Sequence, residues 1–376
     1  MTNKDLYLYS QLRQLKGQIS APSKFQAIQA LVRSNTASRF FTVHESQLTS
    51  TRAAATLTWD ILGINHDTPS DPQYTRSMTL QLHDCFPTVG QFDPREAFYY
   101  AETAMPAGIY HVTIGEHSWV SGDVGKTVQF ALTQGVPAGG QLVFNQMYNI
   151  TCVGNTVSTF AGGTSTSAIE TVTMTEGNSG ASLGTIDNTV QTHLNSMQRA
   201  LMGSNNYKES AIRQWLNSDQ PAGNVWTPQT KWDRPPAWVS TEDGFMYGMD
   251  TDFLAAIGRT HIVVSRNTVC DGGGYDEMDD YFFLLSSSEI YMGNEVESVI
   301  EGKPYPYYSD YSELPAAGSG ADTNRIKYKN GAAQYWILRS PYSKSGNNVI
   351  DALTTGSRNF ANASYTYGAV PACNII

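Results

Sequence analysis

The sequence predicts an α+β fold in which an N-terminal helical segment and an antiparallel β-sandwich precede a C-terminal domain of short helices and strands. Apolar residues recur at helical spacing near the N-terminus and again near residue 190, and short alternating segments fill the region between them. The composition, with 32 Gly, 21 Tyr and only 15% charged residues, is typical of a strand- and loop-rich chain. At roughly 100–200 residues per domain, we divide the chain into segments 1–50, 51–187 and 188–376.

The segment 1–50 is predicted to be helical. Apolar residues recur at near-helical spacing from Leu6 to Leu15. A second helix is predicted over Ser23–Arg33, with Ser23 as its N-cap directly after Pro22. This segment is interpreted as an attachment or oligomerisation element, and a packed cap on the next domain is an equally good interpretation.

The segment 51–187 is predicted to be a β-sandwich, because short alternating strands are separated by Gly/Pro turns. The helical period returns from Asn188 to Met202, which we interpret as the helix that leads into the C-terminal domain. The predicted strands are Thr56 to Leu62, Met78 to His83, Ile109 to Ile114, Val128 to Leu132 and Gln141 to Phe144.

Charge and hydropathy exclude two classes of partner. The net charge of −10 gives no broad field that would attract nucleic acid or anionic lipid. No apolar run approaches the roughly 20 residues that span a bilayer, and Met1 to Lys16 lacks the apolar core of a signal peptide. We therefore expect no nucleic-acid partner, no membrane insertion, and synthesis in the cytoplasm without the general secretion route.

The cysteines do not indicate a metal or redox centre. Cys85, Cys152, Cys270 and Cys373 are far apart and form no CxxC pair, so we interpret them as buried free thiols. No cofactor is expected.

Two groups of acidic and histidine residues are candidates for metal binding, and a structural interpretation is preferred for both. Asp271 to Asp280 is acidic and Gly-rich, and carboxylate oxygens on a flexible loop are what calcium prefers. The spacing does not fit an EF-hand, so a solvated loop is the favoured interpretation. The dipeptides His66-Asp67 and His83-Asp84 are interpreted as surface or turn residues, and no metal site is predicted.

Four motifs occur in order in the last third of the chain. They are SAIRQWLN at 210–217, FLLSSSE at 283–289, YWILRSP at 335–341 and GAVPACNI at 368–375. Over 202–376 this order resembles a C-type-lectin-fold domain of phage and prophage proteins from gut bacteria, a fold shared with formylglycine-generating enzymes. In some members of that family the end of the chain is the variable region of a diversity-generating retroelement. The resemblance implies a C-type-lectin-like domain whose variable region is about 335–376.

The resemblance also implies a diversified ligand-binding face. The retroelement rewrites adenines, and Asn codons then yield many residues but not Glu, Gln, Lys, Met or Trp. From Pro341 to Ile376 the chain has no Glu, Gln, Met or Trp, and Lys344 is treated as a fixed position. The candidate ligand-binding residues are Tyr342, Ser343, Ser345, Asn347, Asn348, Asp351, Thr354, Ser357, Arg358, Asn359, Phe360, Asn362, Ser364, Tyr365, Tyr367 and Ala369.

The composition of this segment independently indicates binding. It is rich in Tyr, Ser, Gly and Asn, as antibody paratopes are, where Tyr supplies contact area at low entropy cost and Ser and Asn supply adaptable hydrogen bonds. Arg358 and Phe360 are candidates for dominant contacts. The alternative is a solvated loop with incidental tyrosines.

The residues that flank the variable positions are predicted to be scaffold. Arg339 is expected to pair with a carboxylate or carbonyl inside the domain rather than with a ligand. The apolar residues expected in the core are Trp336, Leu338, Val349, Leu353, Val370 and Ile375.

The hypothesis from these observations is a phage receptor-binding adhesin, not an enzyme, in the tail fibre or tail tip of the virion. Its expected partners are a bacterial host-surface protein or glycan and other virion proteins, and a homotrimer is possible. One alternative is a structural virion decoration protein without diversified binding. The other is a formylglycine-generating type of enzyme, which would need reactive thiols at Cys270 and Cys373.

Overall fold

The computed structural model describes residues 22–86, 90–94, 202–229, 235–269, 271–293, 299–308 and 323–376, together with the backbone of five strands between 98 and 174. The fold is mixed α+β, mostly β with few helices. The helices are α1 (Lys24–Arg33), α2 (Ala211–Leu216) and α3 (Thr251–Ala256). The strands are β1 (Gln47–Arg52), β2 (Ala55–Ile64), β3 (Met78–Leu82), β4 (Phe98–Ala101), β5 (Gly108–Thr113), β6 (Thr127–Leu132), β7 (Met147–Gly154), β8 (Ala168–Met174), β9 (Ile257–Gly258), β10 (Thr260–Ser265), β11 (Tyr275–Asp280), β12 (Phe282–Phe283), β13 (Lys327–Lys329), β14 (Ala332–Gln334), β15 (Trp336–Pro341), β16 (Asn348–Ala352), β17 (Arg358–Asn362) and β18 (Ala372–Ile375).

The predicted helix at 23–33 is confirmed as α1. Ser23 accepts a hydrogen bond from the backbone of Gln26, and the Gln26 side chain accepts one from the backbone of Ser23, so the two form a capping box. Phe25 and Val32 are among the residues that the helix buries, and the Phe25 ring lies 4.8 Å from that of Phe253 in α3. The apolar spacing at 6–15 and at 188–201 lies outside the described residues.

One antiparallel sheet joins the two ends of the chain. Its strand order is β1-β2-β3-β18-β12, and β9 also pairs with β18. The sequence predicts that β2 and β3 belong to the segment 51–187, apart from the C-terminal domain. In the structure β3 pairs directly with β18, with Leu80 opposite Cys373. Residues near the N-terminus therefore complete the sheet that the last residues of the chain enter.

The strand β3 is buried on both faces, although its alternating sequence predicts one polar face. Thr79 and Gln81 are buried along with the apolar residues. Thr79 donates a hydrogen bond to Asn374 in β18, and Gln81 accepts one from the hydroxyl of Tyr308 at 2.6 Å. These partners satisfy the polar groups that the burial would otherwise leave unpaired.

A second sheet contains the strands between 98 and 174, in the order β4-β6-β7-β8-β5. Its strand pairs are antiparallel except that β4 and β6 run parallel. The predicted strands at 109–114 and 128–132 are confirmed as β5 and β6. The predicted strand at 141–144 lies outside the described residues.

Aromatic side chains fill the core beneath the first sheet. The Trp59 ring lies 5.2 Å from Phe253 and 6.1 Å from Phe282, and Phe245 meets Phe282 edge-on at 5.0 Å. Trp59 donates its ring N–H to Ser50. This cluster joins α3, β2 and β12 into one core. None of the described helices has the length and apolarity that crossing a lipid bilayer requires.

Candidate ligand-binding face

The candidate face is built on the three-stranded antiparallel sheet β15-β16-β17. Residues directly opposite each other in an antiparallel pair lie on the same face, and successive residues alternate between faces. In this register Ile350 lies opposite Phe360, and Asp351 lies opposite Asn359. The candidate residues of β16 and β17 are therefore divided between two faces of the sheet. Phe360 is on one face, and Asp351 and Asn359 are on the other.

A stacked pair of rings marks the first face. The rings of Tyr342 and Phe360 lie 4.3 Å apart and nearly parallel, at 26°. The guanidinium of Arg358 lies 5.8 Å from the Phe360 ring. Phe360 is exposed, while Tyr342 and Arg358 are half-buried. This arrangement presents a flat apolar surface with a cation at its edge.

A second group of rings, which we call the tyrosine cluster, consists of Tyr335, Tyr365 and Tyr367. The Tyr335 and Tyr367 rings meet edge-on at 6.3 Å, and the Tyr365 and Tyr367 rings are nearly parallel at 6.4 Å. Tyr365 is 47% exposed and Tyr335 is 40% exposed. Burial, then the nearby charge of Asp351, raises the pKa of the Tyr367 hydroxyl to about 12. The cluster therefore combines exposed rings with a carboxyl group close by.

Asp351 is completely buried in the middle strand of this sheet. Asn359 donates a long hydrogen bond of 3.4 Å to Oδ2, and none of the described residues donates one to Oδ1. Burial raises the pKa of the Asp351 carboxyl to about 7. At neutral pH the group therefore exists as a mixture of its charged and neutral forms.

The loop before β16 is held by residues from outside the C-terminal segment. Asn205 donates to the backbone oxygens of Ser345 and Asn348, both at 2.8 Å. Thr268 donates through its backbone N–H and its hydroxyl to the Ser343 oxygen. Within the loop, Ser345 donates to the Asn347 side chain at 2.6 Å. These contacts fix the conformation that positions Tyr342.

The structure divides the sixteen candidate residues by exposure. Ala369 and Asp351 have no exposed surface. Ala369 lies in the core, where its backbone oxygen accepts from Phe86, and this corrects its assignment to the face. The other buried candidates are Ser343, Ser345, Asn347, Ser357 and Ser364. The exposed or half-buried candidates are Tyr342, Asn348, Thr354, Arg358, Asn359, Phe360, Asn362, Tyr365 and Tyr367.

The residue type of the small polar candidates predicts that they lie on the face, but several of them are buried for a structural reason. Asn347 donates to Asn362 at 2.6 Å, and Ser345 accepts from the backbone N–H groups of Asn347 and Asn348. Such side chains close turns through local hydrogen bonds. They support the shape of the face rather than display themselves on it.

The scaffold predictions are confirmed with one exception. Trp336, Leu338, Val349, Val370 and Ile375 have no exposed surface. Leu353 is only half-buried, because it lies in the turn between β16 and β17.

Arg339 pairs inside the domain, as predicted. Its guanidinium contacts both carboxylate oxygens of Glu289 at 2.7 Å. It also donates to the backbone oxygens of Leu284, Val263 and Glu301. Each nitrogen of this buried cation therefore has an acceptor.

The acidic residues at 271–280 lie mostly along β11 rather than around a loop. Asp280 pairs with Arg213 at 2.7 Å, Asp276 with Lys208 at 3.3 Å, and Asp279 accepts from Ser70. Within the described part of the chain, no three His, Cys, Asp or Glu side chains are grouped so that they could hold a metal ion.

The two histidine–aspartate dipeptides lie in different hydrogen-bond networks. His66 contacts Asp67 at 2.8 Å, and His83 contacts Asp60 at 2.9 Å. Asp67 in turn accepts from the hydroxyl of Tyr305. His66 was interpreted as a surface or turn residue; it lies in the bend after β2, and its side chain is largely buried beside Tyr305.

The two described cysteines are buried free thiols, as predicted. Burial raises the pKa of Cys85 to about 12 and that of Cys373 well above its usual value. A thiol with such a pKa is not a nucleophile at neutral pH. Cys270 and Cys152 lie outside the residues whose side chains are described.

Three residues of this site are not among the predicted candidates. Tyr335 falls within the predicted variable region, and only its exposed position beside Tyr367 reveals its part in the cluster. Asn205 and Thr268 are distant in sequence, and no local pattern could have indicated that they hold the 342–348 loop.

Comparison with known proteins gives one match. A family model described as "Domain of unknown function (DUF6273)" matches residues 185–376, slightly more than half of the chain. No curated protein and no solved structure matches the chain. The matched range contains α2, α3 and every strand from β9 to β18, and so it includes the whole candidate face.

Proposed function

The chain belongs to the DUF6273 domain family, and we propose that it is a bacteriophage receptor-binding adhesin. In this proposal residues 188–376 form a C-type-lectin-like domain that displays a diversified face for recognition of the host surface. The protein binds and does not catalyse. It acts in the tail fibre or tail tip, with other virion proteins as its structural partners.

The observation that carries the proposal is the concentration of exposed aromatic rings near the end of the chain. Eight large hydrophobic side chains are exposed among the described residues, and four of them are Tyr328, Tyr335, Phe360 and Tyr365. Exposed aromatic rings are unfavourably hydrated, and their burial against a partner contributes binding free energy. Half-buried Asn348, Asn359 and Asn362 lie on the same sheet. This is the combination of rigid aromatic anchors and adaptable amides that paratopes use.

The contrast between surface and scaffold also supports a diversified face. β15 is buried along its whole length, and Arg339 anchors it through an ion pair. Substitution of the exposed and half-buried candidates would leave these contacts intact. A retroelement could therefore vary Tyr342, Phe360 and Tyr365 at little cost in stability.

Affinity at a single face of this size is expected to be modest. Several copies on one particle, for instance as trimers, would raise the overall affinity through effective concentration. The receptor is a protein or glycan on the bacterial surface.

Removal of the aromatic anchors tests the proposal. Tyr365→Ala and Tyr367→Ala are expected to weaken binding of the full chain to host cells about tenfold or more, since aromatic anchors each contribute more than about 1.4 kcal/mol at such surfaces. Binding is measured by flow cytometry with labelled protein. Tyr247→Ala and Tyr275→Ala, which remove exposed tyrosines elsewhere, are the matched controls and should leave binding unchanged.

The proposal fails if all four variants bind host cells like the unmodified chain. A structural virion protein without diversified binding would then be the better hypothesis. Deep sequencing of the last coding segment separates the two independently. A diversified face predicts variation at the exposed and half-buried candidates, with Trp336, Leu338 and Pro371 constant.

A further inference from the structure

The tyrosine cluster and Asp351 together form a feature that a general adhesive surface does not require. Tyr335 and Tyr365 each contact Tyr367, one edge-on and one nearly parallel. The charges of Asp351, Tyr365 and Tyr335 all act on the Tyr367 hydroxyl. Ile337, two residues after Tyr335, lies opposite Asp351 in the sheet, and its backbone N–H donates to the oxygen of Gly368, the residue after Tyr367. The strand pairing therefore brings the carboxyl close to the three phenol groups.

The buried carboxyl has an unused capacity to accept hydrogen bonds. Oδ2 receives a long side-chain hydrogen bond of 3.4 Å from Asn359, and among the described residues nothing donates to Oδ1. A buried carboxylate without partners is costly, and an incoming cation that donates hydrogen bonds removes that cost. Aromatic rings attract cations independently, because the faces of the rings carry negative potential. Rings and carboxyl thus favour the same kind of ligand group.

The depth of Asp351 restricts the shape of that group. The residue has no exposed surface, whereas Asn359 and Tyr367 beside it are half-buried. A cation that approaches the carboxyl has to pass between side chains, and this favours a slender, unbranched stem. A lysine side chain has such a stem, and its ammonium group carries three hydrogen-bond donors. An amine attached directly to a sugar ring would be held further from the carboxyl.

We propose that Tyr335, Tyr365 and Tyr367, together with the buried Asp351, bind the side chain of an exposed lysine on a partner protein. This inference rests on the proposed adhesin function and narrows its receptor to a protein. The rings contact the methylene stem and the ammonium group. Asp351 supplies the negative charge, and Asn359 shifts to admit the ammonium group.

The experiment is an NMR titration of the full chain with four small probes. Nα-acetyl-lysine methylamide is the expected ligand, and Nα-acetyl-norleucine methylamide is its neutral counterpart. The trimethyl-lysine derivative keeps the charge but cannot donate hydrogen bonds, and glucosamine carries its amine on a ring. The lysine probe should bind at least tenfold more tightly than the norleucine probe and more tightly than the other two.

Variants identify the groups responsible. Asp351→Asn, which keeps the shape of the side chain, should weaken lysine binding about tenfold and leave norleucine binding unchanged. Tyr367→Leu should weaken the binding of both cationic lysine probes. Tyr275→Leu, on β11 away from the cluster, should change neither. Circular dichroism checks that each variant is folded, and the comparison of lysine with norleucine on the unmodified chain needs no variant.

Several outcomes would overturn the inference. Equal binding of lysine and norleucine would show that the positive charge of the ligand contributes nothing to binding. If trimethyl-lysine binds as tightly as lysine, the ammonium group does not donate a hydrogen bond to Asp351. If glucosamine binds more tightly than lysine, the site recognises amino sugars instead. Host-cell binding without lysine binding would contradict this inference and leave the adhesin proposal standing. Lysine binding without host-cell binding would contradict the adhesin proposal and leave the lysine site standing.

Discussion

Arg339 and Asp351 are buried charged residues on the neighbouring strands β15 and β16, and their surroundings are opposite. Every nitrogen of the Arg339 guanidinium has an acceptor, including both oxygens of Glu289. Among the described side chains, Asn359 donates one long hydrogen bond to Asp351. The first arrangement is that of a scaffold, in which burial of a charge is compensated. In the second, the carboxyl is buried with few hydrogen bonds, and a ligand that supplies them would remove that cost. Such a group is typical of a binding site rather than of a scaffold.

The largest expected decrease in stability follows from removal of the Arg339 ion pair. Arg339→Met leaves the buried carboxylate of Glu289 without its cation, and such a change typically costs about 3–5 kcal/mol of unfolding free energy. Urea denaturation followed by circular dichroism measures the loss. Lys344→Met, which removes an exposed cation of the same segment, is the control and should change stability by less than about 0.5 kcal/mol. If the two variants are equally stable, Arg339 is not the anchor of the scaffold.

The second expected effect is an increase in the free energy of unfolding, whereas loss of the Arg339 ion pair lowers it. Asp351→Asn should stabilise the protein at pH 7, because the carboxyl has a pKa of about 7 when folded and about 3.9 when unfolded. The unfolded state ionises first as the pH rises, so the native protein loses stability between about pH 4 and pH 7. The gain from the substitution is up to about 4 kcal/mol at about 1.4 kcal/mol per pKa unit.

Urea denaturation at several pH values measures this gain. The variant and the unmodified chain should have similar stability near pH 4 and diverge towards pH 7. A stability difference that does not change with pH would show that Asp351 is ionised throughout and has a partner that compensates its charge.

The smallest effect concerns the stacked pair on the other face of the sheet. Tyr342 and Phe360 should contribute a coupling free energy of about 0.5–1.5 kcal/mol beyond their separate contributions. A double-mutant cycle with Tyr342→Ala, Phe360→Ala and the combined variant measures it by urea denaturation. A coupling indistinguishable from zero would mean that the rings are independent side chains and that the face is less ordered than the tyrosine cluster.

The sequence by itself determined the local elements of this protein. Pro22, Ser23 and Gln26 define the start of α1, because a capping box involves residues only three positions apart. The apolar run in the motif YWILRSP predicted both β15 and the burial of Trp336 and Leu338. A high content of Tyr, Ser and Asn near the end of the chain indicated the candidate face before any contact was known.

Only the tertiary structure decided which of those residues are displayed. Asp351 and Asn359 belong to the same type of segment as Phe360, but the register of β16 with β17 places them on the opposite face. The pairing of β18 with β3 and the closing of the 342–348 loop by Asn205 join residues that are far apart in sequence. Non-local contacts leave no periodic signal in either partner, whereas capping and alternation are local and can be read from neighbouring residues.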